Sequence, residues 1–158
     1  MPSIKAFFAK LYAARTYKKI QKWSSSPLET QNRVFQSLIS EAAATSFGVD
    51  HDFISINSHE DFVKRVPVRD YEALKPYVDK VVSGEANVLW KGKPLYFAKT
   101  SGTTSGAKYI PITKESMPSH VEAAKNAILL YIHQTGNTQI VDRKMIFLQG
   151  SPVLEDKN

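Results

Sequence analysis

Residues 100–108 read Thr-Ser-Gly-Thr-Thr-Ser-Gly-Ala-Lys, with five hydroxyl side chains, two glycines and a terminal lysine. Apolar runs flank them, Pro94-Leu95-Tyr96-Phe97-Ala98 before and Tyr109-Ile110-Pro111-Ile112 after. A stretch with no large apolar side chain has nothing to bury, so the flanking runs predict two strands with an exposed loop between them. Pro111 lacks an N–H and belongs on a sheet edge. Glycine permits positive φ, which lets successive backbone N–H groups turn inward around an anion. Hydroxyls donate to phosphate oxygens, and a lysine at the rim adds a mobile positive charge. Residue chemistry alone predicts a phosphate-binding loop.

The chain has 158 residues, 42% apolar and 23% charged, enough for one ordinary globular domain with its own core. It has no cysteine, which excludes disulfides, thiolate metal sites and a cysteine nucleophile. No apolar run approaches the ~20 residues of a membrane-spanning helix, and the N-terminus lacks the pattern of a secretory signal. A cytoplasmic location is the expectation. The net charge of +6 is concentrated at Lys5, Lys10, Arg15, Lys18, Lys19 and Lys22, and the remainder of the chain is neutral. Any electrostatic argument for an anionic partner therefore concerns the first segment alone.

In that segment, residues 1–23, Ile4, Phe7, Phe8, Leu11 and Tyr12 recur at helical spacing and predict a basic amphipathic helix. Its simplest role is to pack its apolar stripe on the rest of the protein with a solvated lysine face, and no nucleic-acid partner is expected. Residues 24–158 form the second division. A helix is predicted over 28–46, with Gly48 as its stop. Asp50-His51-Asp52 has the residue types of a metal cluster, but in an extended segment the histidine points away from both acids, so a polar loop is the better reading. Ser58 caps a short helix over 59–65. Asp70 caps a turn beginning at Tyr71, and Pro76 is expected to start a separate helix carrying Tyr77, Val78, Val81 and Val82. Thr113 caps a long helix whose buried side is Val121, Ala124, Ala127, Ile128, Tyr131 and Ile132. Lys144-Met145-Ile146-Phe147-Leu148 has the pattern of a buried strand. His120 and His133 lie thirteen residues apart, not at ligand spacing on one helix face, and no metal site made by protein side chains is expected.

The loop is not the common G-x-x-x-x-G-K-[ST] type: three residues separate Gly102 from Gly106, and Tyr109 follows the lysine. It resembles the phosphate loop of the adenylate-forming superfamily, two small or hydroxyl residues, Gly, two hydroxyl residues, a small residue, any residue, a small residue and Lys. All nine positions from Thr100 to Lys108 match. The flanks are similar to the auxin-responsive-promoter family of acyl acid–amido synthetases, in its bacterial form. The similar stretches are Ala44-Thr45-Ser46-Phe47-Gly48, Val66-Pro67-Val68-Arg69-Asp70-Tyr71-Glu72, Lys75-Pro76-Tyr77-Val78, Leu89-Trp90 and Phe97 to Thr113.

This resemblance implies an α/β (mixed α+β) fold, the N-terminal part of an adenylate-forming large domain with helices on an incomplete mixed sheet. It implies ATP-dependent activation of a small-molecule carboxylic acid as an acyl adenylate, then amide formation with an amine or amino acid, with ATP and Mg²⁺ as cofactors. Thr100, Ser101, Gly102, Thr103, Thr104, Ser105, Gly106 and Lys108 would hold the phosphates. The family's adenine-binding segment, its Tyr- and Glu-containing motif, its ribose-binding Asp and its lid are not in this sequence. The main catalytic residues are accordingly expected beyond Asn158, with this chain as an N-terminal fragment inactive by itself. Two other readings remain open at this stage: an acyl-CoA ligase of the phenylacetate type, and a non-catalytic chain docking through its basic N-terminal helix.

Overall fold

The computed structural model describes residues 3–100, 107–144 and 146. The fold is helix-rich and mixed, with six α-helices and a two-stranded antiparallel sheet among the described residues. None of these helices is long and apolar enough to cross a membrane. The strand expected over 144–148 lies almost wholly outside the described residues. The chain divides into two compact units, one joining the chain up to Thr30 with the segment that starts at Pro118, the other spanning Gln31–Met117.

The first unit holds α1 (Ile4–Ser24) and nearly all of α6 (Met117–Thr135). Ser3 caps α1 by accepting the Ala6 N–H at 3.1 Å, and its hydroxyl donates to the Asp142 carboxylate at 3.0 Å. The core is Ala13, Leu129 and Ile132, with Ala9, Ile128, Ile140 and Val141 packed around it. This corrects the expected orientation of α1. Ile4 and Phe7 are 78% and 65% exposed, Phe8, Leu11 and Tyr12 are also exposed, and the buried residues are Ala6, Ala13 and Thr16. Small side chains at a helix contact let the backbones approach closely, and that face wins over the larger stripe. The buried side of α6 is shifted likewise: Leu129 and Ile132 are buried, while Val121 and Tyr131 are exposed. Flanking pairs hold the two helices in register. Lys19 Nζ meets Glu122 Oε1 at 2.8 Å, and the Tyr17 and His133 rings stack with centroids 4.1 Å apart.

The second unit begins with most of α2 (Pro27–Ala42) and turns at Thr45. The helix does not run to residue 46. The Thr45 hydroxyl donates to the Ala42 carbonyl at 2.7 Å and accepts the Gly48 N–H at 3.0 Å, so one buried side chain ends α2 and caps α3 (Ser46–Asp50). Gly48 lies inside that second helix. A Cβ there would stand 2.1 Å from the Ala42 carbonyl oxygen, so the close crossing of the two segments requires glycine. A 3-10 turn at Phe53–Ser55 follows, then α4 (His59–Arg65) with a capping box between Ser58 and Asp61.

Helix α5 (Tyr71–Val82) is continuous through Pro76, where two helices were expected. The proline removes only the bond to the Glu72 carbonyl, and both residues lie on the exposed side. The Lys75–Asp79 pair, 2.6 Å, spans the site on the same helix, and Val78 and Val81 are buried opposite. Burial of one face offsets one missing bond. The core is aromatic at its rim: Ile39, Ala42, Phe53 and Ile56 are packed by Phe35, Phe47, Phe62 and Trp90. Phe47–Phe53 and Phe35–Phe62 meet edge to face at 5.9 Å.

Candidate functional site

Strands β1 (Tyr96–Lys99) and β2 (Tyr109–Ile112) pair antiparallel, with Phe97 opposite Pro111 and Lys99 opposite Tyr109. Beyond the last pair, the Thr100 N–H donates to the Lys108 carbonyl at 3.0 Å, and the Lys108 N–H reaches the Thr100 hydroxyl at 3.3 Å. Thr100 and Lys108 therefore stand together at the hairpin mouth, as the two ends of the expected phosphate loop. Ser101, Gly102, Thr103, Thr104, Ser105 and Gly106 lie outside the described residues. The Thr100–Lys108 bond also sets the alternation of the ladder. Phe97 and Pro111 form a non-hydrogen-bonded pair, so the missing proline N–H breaks no cross-strand bond.

The Lys108 ammonium lies 5.2 Å from the centre of the Tyr71 ring, and the Tyr71 hydroxyl accepts the Tyr109 N–H at 2.9 Å. Tyr71 is the first residue of α5, whose N-terminus is fixed by Asp70 accepting the Ala73 N–H at 2.9 Å. The mouth of the hairpin thus rests on a capped helix. Nothing in the sequence pattern marks Tyr71 for this, because the contact joins residues nearly forty positions apart.

Next to β2 lies a small apolar pocket lined by Val81, Val88, Trp90, Pro94, Pro111 and Thr113. The Trp90 indole N–H is buried without a hydrogen bond of normal geometry. Glu115, nearby, has its carboxyl held below the usual value, first by its own backbone N–H, then by the Thr113 hydroxyl, Lys91 and the Trp90 indole. Thr113, expected to cap the long helix, instead exchanges hydrogen bonds with Ser116 in a turn, and regular α6 starts only at Met117. The intervening turn precedes Pro118.

The Asp50-His51-Asp52 triplet sends its three side chains to three different partners. Asp50 accepts the Tyr77 hydroxyl at 2.7 Å, and Asp52 pairs with Arg65 at 3.3 Å. His51 is buried, stacked on Phe47 with ring centroids 4.1 Å apart. Its Nδ1 lies 2.8 Å from the Phe47 carbonyl and its Nε2 lies 2.9 Å from Arg69 Nη2. Arginine only donates, so Nε2 accepts and the ring proton sits on Nδ1, donating to Phe47. The Asp50 bond, assisted by burial, raises the Tyr77 phenol above its ordinary value. This cluster locks α3 against α5. The signal available in the sequence was the i, i+4 spacing of Phe47 and His51.

Among the described residues no group of three or more His, Cys, Asp or Glu lies close enough to hold a metal ion. His59 meets the Phe35 ring edge at 6.5 Å, in a packing role.

The chain belongs to the GH3 family: the GH3 family N-terminal domain matches residues 16–152. Curated relatives agree with that placement. The chain is 31% identical over 112 residues to the indole-3-acetic acid-amido synthetase GH3.15 of Arabidopsis thaliana, covering 68% of this chain and 18% of that protein. It is 23% identical over 130 residues to the jasmonoyl–L-amino acid synthetase JAR4 of Nicotiana attenuata, covering 80% of this chain and 22% of that protein. It is 29% identical over 92 residues to the 4-substituted benzoates–glutamate ligase GH3.12 of Arabidopsis thaliana, covering 58% of this chain and 16% of that protein. The chain spans about a fifth of the length of these relatives.

Proposed function

We propose that this chain supplies the ATP phosphate loop of an acid–amino acid ligase that works through an acyl adenylate. A carboxylate oxygen bonds to the α-phosphorus of ATP as the bond to pyrophosphate breaks. The amine nitrogen of an amino acid then attacks the acyl carbon, AMP leaves, and the amine gives up a proton. Negative charge shifts among phosphate oxygens in the first step, and donors aimed there beforehand stabilise it most. Ser101, Thr103, Thr104 and Ser105 supply hydroxyls, Gly102 and Gly106 admit the backbone to close range, and Thr100 and Lys108 fix the rim. Lys108 neutralises charge on the β- or γ-phosphate. Mg²⁺, travelling with the nucleotide, supplies further charge neutralisation of the leaving pyrophosphate. A cytoplasmic setting goes with this reading.

The observation that carries the proposal is the closed mouth, Thr100 bonded to Lys108, in a chain of this family. The names of the relatives favour an amino acid over coenzyme A as acceptor. The test has two parts, both measured on this chain and on a version extended to the length of its relatives. The first is ATP binding. The second is carboxylate-dependent exchange of pyrophosphate into ATP, with indole-3-acetic acid and 4-substituted benzoates as the first acids. Binding and exchange that fall together in Lys108→Ala support the reading. No ATP binding and no exchange in either version sink it. Product analysis with amino acids or coenzyme A then identifies the acceptor.

A further inference from the structure

We propose that Tyr71 is the positioning residue for Lys108, an inference that rests on the phosphate-loop reading. Two contacts from one side chain carry it. The Tyr71 hydroxyl accepts the N–H of Tyr109, the residue immediately after the lysine, and the Tyr71 ring lies under the lysine ammonium. The ladder explains the first contact. Because Thr100 and Lys108 share a hydrogen bond, Lys99 and Tyr109 form the next, non-hydrogen-bonded pair, and the Tyr109 N–H points away from β1. A hydroxyl from α5 receives that N–H, which pins the backbone beside Lys108.

The second contact acts on the side chain. A free lysine loses rotamer entropy when it is fixed. An ammonium held over an aromatic face has already given up part of that freedom. Its N–H groups on the far side stay available to a phosphate oxygen, so it can meet one without leaving the ring. Tyr71 is itself well placed to act as an anchor, because Asp70 caps the helix at that residue. The result is a rim charge placed before the nucleotide arrives.

Two variants separate the contacts. Tyr71→Gln keeps an acceptor for the Tyr109 N–H and removes the ring, while Tyr71→Phe keeps the ring and removes the acceptor. ATP binding in the presence of Mg²⁺ is measured by calorimetry on this chain and on the version extended to the length of its relatives. The comparison set is wild type, both Tyr71 variants, Lys108→Met and the Tyr71→Gln/Lys108→Met double variant. Tyr71→Gln weakens ATP by about 3- to 10-fold, the range of a partly desolvated cation–π contact. Tyr71→Phe is affected less. In the Lys108→Met background, Tyr71→Gln has no further effect, because the residues act as one unit. Additive losses in the double variant, or a larger loss in Tyr71→Phe than in Tyr71→Gln, would overturn the proposal. Tyr71→Leu replaces Tyr71→Gln should the latter not fold. If neither this chain nor its extended version binds ATP, or Lys108→Met binds it as wild type does, the phosphate-loop reading itself fails and this inference with it.

Discussion

The two units bury themselves with different kinds of residue. In the unit built on α1 and α6, alanines and two larger aliphatics make the contact, and the aromatic residues of α1 face outward. In the unit spanning Gln31–Met117, phenylalanines enclose the core, and a buried threonine and histidine tie its segments together. The difference teaches where the energy of each unit resides. An alanine contact gains little area per residue, so the first unit leans on Leu129 and Ile132. The second spreads its stability over aromatic packing and over backbone groups satisfied by buried side chains.

The two tryptophans make this comparison measurable, since Trp23 lies on α1 and Trp90 in the second unit. Trp23→Phe leaves fluorescence that reports the second unit, and Trp90→Phe leaves fluorescence that reports the first. The largest expected effect is Ile132→Ala, which removes a residue only 1% exposed and costs about 2–5 kcal/mol in urea unfolding followed through Trp23. Phe7→Ala, although a larger truncation, stays within about 0.5 kcal/mol. Equal losses would break the distinction between the buried contact of α1 with α6 and the exposed aromatic side of α1.

Next comes Gly48→Ala, at about 3 kcal/mol through Trp90, because the new methyl group meets a backbone oxygen that cannot step aside. Gly136→Ala, at φ 68° with open space around it, costs about 1 kcal/mol of backbone strain only. Thr45→Ala follows at about 1–2 kcal/mol, since it removes the cap of α3 and leaves that cap position buried. The half-buried cap Ser3→Ala costs about half as much.

The smallest effect is a pH dependence. The Asp61 carboxyl is held below its ordinary value, first by the Ser58 hydroxyl and then by the Asn57 backbone N–H. A depressed folded-state value means that its contribution is complete above the unfolded value of 3.8 and is lost as pH falls through the lower, folded one. In acid titrations below about pH 4, Asp61→Asn therefore shows a flatter fall in stability than wild type. Parallel curves would remove the capping box from the account of α4.

Features set by near neighbours were legible in the sequence. Ser58 and Asp70 act as caps, the hairpin flanks the loop, and both strands fall within the expected runs, because cap, turn and alternation are decided within a few residues. Other features depended on partners far along the chain. The inward face of α1 was misjudged because its partner, α6, offers close approach to alanines rather than a groove for phenylalanines. The end of α2 was placed too late because Ala42, Ala43 and Ala44 all favour helix, whereas Thr45 captures the Ala42 carbonyl. Pro76 looked like a boundary only while the buried face of α5 was unknown. At the site, motif and flanks identified the family and set two strands around residues 100–108, while Tyr71 could emerge only when α5 and β2 were seen together.

The bond between Thr100 and Lys108 has an entropic consequence. A segment that must close on a ligand ordinarily loses freedom in bringing its ends together, and for roughly seven residues the length-dependent part of this cost is about 1.7 kcal/mol. Here the folding of the hairpin has met that cost before any ligand arrives. Any ligand held between these ends meets a closure that the fold has already made.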